Sequence, residues 1–177
     1  MNDSFFSYLH RLELIAFFSG YPLIYAIVMF LKSKNPRRKD LSEKIASLLP
    51  FSYALTGTLF LGFELKNLSP DYSIAHLRSS MHHPYLVLWG VLSVFFWIPA
   101  VGKRTVASFL HSLVFFVLLI EDLFFQATNS GTDKNIIRND MKLYSTSLLL
   151  NAGAFIMITL IFLFLRWLKS FEKSPAN

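Results

Sequence analysis

The sequence predicts an all-helical, polytopic membrane protein, and three observations carry that expectation. Of 177 residues, 54% are hydrophobic and 16% charged, with 19 Phe and a mean hydropathy of +0.46, whereas a soluble domain carries about 25% charged residues. Five apolar stretches, at 14–31, 45–63, 84–101, 105–125 and 143–165, have the length that crosses a bilayer. Lysine and arginine gather in alternate connections between them. Eighteen helical residues rise about 27 Å, against a hydrocarbon core of approximately 30 Å. Long continuous apolar runs suit helices, which satisfy their own backbone groups in lipid, rather than the short alternating strands of a barrel. The expected fold is one integral membrane domain over 1–177, a bundle of five transmembrane helices. The chain has no cysteine, which excludes iron–sulfur clusters, thiol catalysis and Cys-ligated zinc.

The first stretch, 14–31, contains Pro22 and runs into the basic cluster Lys32 to Lys39. The residues before it lack a positively charged start and include Asp3, so it is expected to stay as an uncleaved span. Asn35-Pro36 marks the following turn. In the second stretch, 45–63, Pro50 shortens the clean apolar run, and Ala54, Thr58 and Gly62 recur every fourth residue. Hydrophobicity does not drive helix against helix in lipid, so this narrow stripe is the predicted helix-packing seam. The third stretch, 84–101, opens on Pro84, suited to a first helical turn, and Gly102 closes a short hairpin to the fourth, 105–125. In the fifth, 143–165, the residues Ser147, Asn151 and Ala154 form a polar and small inner face, while 155–165 is almost wholly apolar.

Orientation follows from charge. With five crossings, one side collects Lys32, Lys34, Arg37, Arg38, Lys39, Lys44, Lys103, Arg104, Arg166, Lys169 and Lys173, 11 basic residues against the 3 acids Asp40, Glu43 and Glu172, a net of +8. The other side holds 6 basic and 8 acidic residues, a net of −2. The positive-inside rule makes the first side cytoplasmic, with the amino terminus out and the carboxyl terminus in, in a cell inner membrane.

Ionisable residues supply the candidate sites. Glu13, Glu64, Glu121 and Asp122 fall at the outer ends of spans, while His10, His76, His82 and His83 occupy neighbouring outer segments. His82, His83 and Glu64 are candidates for an outer metal or polar cluster, since imidazole and carboxylate suit zinc, manganese or iron. No compact motif such as His-Glu-x-x-His accompanies them, and ordinary surface solvation or pairing with Arg11, Lys66, Arg78 or Lys142 is the preferred explanation. His111 is the ionisable residue placed deep in a span, flanked by Ser108 and Ser112. Eleven residues on, Asp122 returns to the same face of the helix, about 16 Å along its axis. His111, Asp122, Glu121 and Glu13 are therefore the candidate proton or ligand path. A bis-histidine haem is set aside, because His83 differs from His111 by roughly 18 Å in depth.

No cofactor is predicted. A divalent metal, or a haem on His111 alone or with Met29 or Met157, is the open alternative. Gly-rich phosphate loops and the serine-hydrolase elbow do not occur. The expected partners are the bilayer and other membrane subunits or further copies of the chain, and not nucleic acid. The expected role is a non-enzymatic subunit, scaffold or assembly factor of a larger membrane complex. The alternatives are a proton-coupled or small-solute transport element, and a metal-dependent intramembrane enzyme with an outer-face site.

Overall fold

The computed structural model describes residues 3–34, 39–69, 84–128 and 134–172. It is all-helical, 93% helix with no strands among the described residues, and four of its helical stretches are long and apolar enough to cross a membrane: Arg11–Ser33, Asp40–Asn67, Thr105–Phe125 and Met141–Phe171. The chain order is α1 (Asp3–Phe18), α2 (Tyr21–Lys34), α3 (Lys39–Ala46), α4 (Leu49–Asn67), α5 (Pro84–Leu92), a 3₁₀ turn (Ser93–Trp97), α6 (Pro99–Gly102), α7 (Thr105–Thr128) and α8 (Lys134–Glu172).

The first expected span is a broken helix, and Pro22 explains the break. A proline in a helix interior clashes with the carbonyl four residues back, here that of Phe18, where α1 ends. Ser19 and Gly20 carry the chain around, with the Ser19 hydroxyl and amide both donating to the Ile15 carbonyl at 2.7 and 3.1 Å. Pro50 stands in the same relation to α3 and α4: α3 ends at Ala46, four residues before it, and in the first turn of α4 its missing N–H has no intrahelical acceptor.

The stretch 84–101 is also interrupted. Ile98 precedes Pro99 and is extended, at φ −72° and ψ 123°, as steric clash with a following proline ring requires. The apolar helical part, Pro84–Trp97, falls short of the four longer stretches. Nine α-helical and five 3₁₀ residues rise about 24 Å together. At the carboxyl end, α8 is 39 residues long and about 58 Å in extent.

Ring contacts fix the helix directions. Phe17 packs on Phe60 and Phe63, Phe18 on Phe60 and Tyr53, and Tyr21 on Tyr53 at 4.4 Å, so α1 and α2 run antiparallel to α4. Arg11 meets Asp122, Phe18 stacks on Phe115 at 4.6 Å, and Tyr25 stacks on Phe109 at 4.7 Å, so α7 is also antiparallel to α1 and α2. Therefore α4 and α7 point the same way. Between them, α5 and the 3₁₀ turn descend along α4, with Gly90 against Phe60, Ser93 against Gly57 and Phe96 against Tyr53. One end of the bundle carries Arg11, Glu64, Glu121 and Asp122 and is called the acidic end below; the opposite end carries Lys103 and Arg104.

Aromatic rings fill the middle: Phe18, Tyr21, Tyr53, Phe60 and Phe115 are at most 1% exposed. Polar ties cross between the helices. The Asn151 Nδ2 donates to the Phe17 carbonyl at 2.8 Å, its Oδ1 accepts from Thr56 at 3.3 Å, and the neighbouring Ser147 hydroxyl accepts from the Gly20 amide at 2.8 Å. One polar node thus joins α1, α4 and α8. The expected inner face of the fifth stretch coincides with it, since Ser147, Asn151 and Ala154 are all buried.

Candidate functional site

Two polar constellations lie on α7. Near its start, His111 sits in an aromatic box. Its ring stacks on Trp89 with centroids 4.5 Å apart and planes 6° from parallel, while Tyr53, Phe96 and Phe115 meet it at larger angles. The His111 Nδ1 and the Tyr53 hydroxyl share a hydrogen bond of 2.8 Å. The Trp89 indole N–H donates to the His111 carbonyl at 3.1 Å. The His111 Nε2 is buried and has no hydrogen-bond partner among the described residues. Beside the box, the Tyr21 and Ser108 hydroxyls are 2.8 Å apart. Composition alone does not reveal Tyr53 and Trp89 as the neighbours of His111; the one available signal is that each is an aromatic with a polar tip set within an apolar run, where such a tip needs a partner.

The second constellation is at the acidic end. One guanidinium nitrogen of Arg11 is 2.9 Å from Glu121 Oε2 and 2.9 Å from Asp122 Oδ1. The Asp122 side chain is mostly buried and that of Glu121 exposed, at 15% and 65% exposure. Glu64 lies in the last turn of α4 and is 8% exposed, and its Oε1 is buried without a hydrogen-bond partner among the described residues. The helix register brings Glu13 toward it: Phe17 packs on Phe60 at 5.3 Å, and one turn outward on each antiparallel helix are Glu13 and Glu64.

Of the expected path residues, Glu13, Glu121 and Asp122 are thus gathered at the acidic end with Glu64. His111 is held apart from them. Between His111 and Asp122 on α7 stands Phe115, fully buried and stacked on Phe18. His82 and His83 lie outside the described residues, and no group of three or more His, Asp or Glu arranged to hold a metal occurs among the described residues. The residues expected as a seam are divided. Ala54 is buried, whereas Thr58 and Gly62 face outward; the Thr58 hydroxyl accepts from the Trp97 indole at 2.9 Å. The close approach within the chain is made one residue earlier, at Gly57, where a β-carbon would lie on the Ser93 hydroxyl.

The chain matches no family model, no curated protein and no solved structure.

Proposed function

We propose that the chain is a non-enzymatic subunit, scaffold or assembly factor of a larger membrane complex, crossing a cell inner membrane five times with its amino terminus out and carboxyl terminus in. The observation that carries this reading is the division of labour between interior and surface. Inside, polar groups tie helix to helix and rings occupy the space between them, as Asn151, Ser147, Tyr21 and Phe115 illustrate. Outside, the longest helix is almost uncovered: only 17% of the most apolar window of Met141–Phe171 is buried within the chain. A bundle built this way offers surface to neighbours rather than a passage to solutes.

Five crossings are supported by helix direction, because α4 and α7 point the same way and the chain between them must return through the same thickness. The 3₁₀ turn and the Pro99 break lie against α4, which is where irregular backbone is tolerated at membrane depth. The orientation rests on the 11 basic residues that five crossings gather at one face. Against a proton path through His111, Asp122, Glu121 and Glu13 stands Phe115, buried and stacked on Phe18 between His111 and Asp122 along α7.

The test is photo-crosslinking of the full-length protein in its native membrane, with the crosslinker placed at Leu149 and Leu160, which are 76% and 60% exposed. Discrete adducts with one or a few membrane proteins, retained in a mild-detergent extract, are expected. Lipid adducts alone, with the extracted chain running by itself, overturn the reading.

A further inference from the structure

The α8 helix is longer than the bundle it packs against. It follows α7 after the short connection 129–133, and Phe116 meets Tyr144 at 6.4 Å, so α8 runs from the acidic end toward the opposite one. Asn151 fixes its depth, because it bonds to the Phe17 carbonyl and to Thr56. From Asn151 to Phe171 the helical rise is about 30 Å, whereas from Thr56 back to Lys44 it is about 18 Å and from Phe115 back to Arg104 about 16 Å. Residues 164–171 therefore run past the ends of their neighbours, and every one of them is exposed. This arm is two-sided. At 100° per residue, Arg166, Lys169 and Ser170 fall within an arc of about 100°, and Phe164, Trp167, Leu168 and Phe171 within a similar arc on the opposite side. The register places Leu165 and Glu172 at a border between the two. The rings join into one ridge: Phe164 stacks on Trp167 at 6.0 Å, and Trp167 meets Phe171 edge-on at 4.5 Å. Arg166 and Lys169 meet no carboxylate among the described residues, and neither do Lys103 and Arg104 at the same end.

We propose that this arm is a binding surface for anionic phospholipid, with Arg166 and Lys169 on the headgroup phosphates and the rings of Phe164, Trp167 and Phe171 bedded at the boundary of the acyl chains. The stretch Met141–Phe171 rises about 46 Å against a hydrocarbon core of approximately 30 Å. A stretch longer than the core tilts, and interfacial tryptophans and cations set the direction of the tilt. Leaning toward the aromatic side covers the rings, which in water would form a bare apolar patch. The same lean turns Arg166 and Lys169 to the headgroup layer, the arrangement of amphipathic helices that lie in the interface. Charge then selects the lipid, since unpaired lysine and arginine near the surface favour anionic headgroups over zwitterionic ones. The surface works from either compartment, so it does not rest on the orientation proposed above.

The chain has no cysteine, so Ser170→Cys gives the full-length protein one attachment point for a fluorophore on the cationic side of the arm. The labelled protein is reconstituted in vesicles of equal parts phosphatidylglycerol and phosphatidylcholine, with one or the other lipid brominated as a quencher. Quenching should favour brominated phosphatidylglycerol by about tenfold, the effect of two cations near an anionic surface. The preference should vanish in Arg166→Gln/Lys169→Gln and in high salt, and persist in Lys142→Gln, at the other end of α8. Equal quenching by the two lipids overturns the proposal, as does a preference that survives the double substitution. A crosslinker at Ser170 in the native membrane that yields a discrete protein adduct in place of lipid assigns the arm to a protein partner and overturns it equally.

Discussion

At the scale of single residues, the glycines separate positions that hold the bundle from those that do not. A β-carbon at Gly20 would come within 2.6 Å of the backbone of Ser147 and Leu148, where only a shift of α8 can make room. Gly20→Ala should therefore destabilise the protein by about 2 kcal/mol or more, the range of overpacking in a close-packed interior. At Gly62 and Gly153 a β-carbon meets nothing within 4 Å, so alanine there should be neutral or stabilise by up to about 1 kcal/mol through helix propensity. Thermal unfolding of the three purified variants in detergent checks the contrast, and equal losses at all three would contradict it. Asn151 belongs with Gly20: Asn151→Ala removes ties to both the Phe17 carbonyl and Thr56 and should lower stability by about 1 kcal/mol, the size of interhelical hydrogen bonds in membranes. Denaturation of the variant in mixed micelles measures that loss.

At the scale of elements, apolar length made the spans legible, and proline position decided how each one is built. Pro22, Pro50 and Pro99 each stand in the first turn of a helix just after a preceding helical piece has ended, and the rule is local: the carbonyl four residues back is left outside the new helix, where the ring does not clash with it. The polar face of Ser147 and Asn151 could be read from spacing alone. The partners of His111 could not, because Tyr53, Trp89 and Phe96 come from three other elements and meet it only through the descent of α5 and the 3₁₀ turn along α4. The same reason hid the close approach at Gly57: the spacing marks the stripe Ala54, Thr58 and Gly62, but the facing Ser93 meets the residue beside that stripe. If the aromatic box ties elements together, Tyr53→Phe should cost about 1 kcal/mol by leaving the His111 Nδ1 unpaired. His111→Phe, which keeps a flat ring against Trp89, should be better tolerated than His111→Ala, by about 1 kcal/mol or more. Unfolding midpoints of the three variants decide this, and equal loss for Phe and Ala at position 111 would remove packing as the role of the ring.

At the scale of the whole molecule, the interrupted stretch 84–101 determines the side on which everything after it lies. Were it to remain on one face, the chain would cross four times, and Arg37 and Ser130 would share a side. Basic residues would then divide almost evenly, nine on the side of Lys32 to Lys44 with Lys134, Arg138 and Lys142, and eight on the other with Lys103, Arg104, Arg166, Lys169 and Lys173. Such a tally gives the insertion machinery little to orient by, whereas five crossings divide the same residues 11 to 6. Helix direction supports the proposed five crossings too, since α4 and α7 run parallel, whereas four crossings with 84–101 held on one face would oppose them. Depth agrees as well. From Arg104 to Asp122 and from Lys44 to Glu64 the helical rise is about 27 and 30 Å, close to one hydrocarbon thickness. Reporter fusions at Arg37 and Ser130, one active only in the cytoplasm and one only outside it, should therefore report opposite sides, with Arg37 cytoplasmic. A fusion at Lys103 should report with Arg37. Should Arg37 and Ser130 report the same side, α5 and the 3₁₀ turn form a re-entrant hairpin, and the acidic end no longer faces a single compartment.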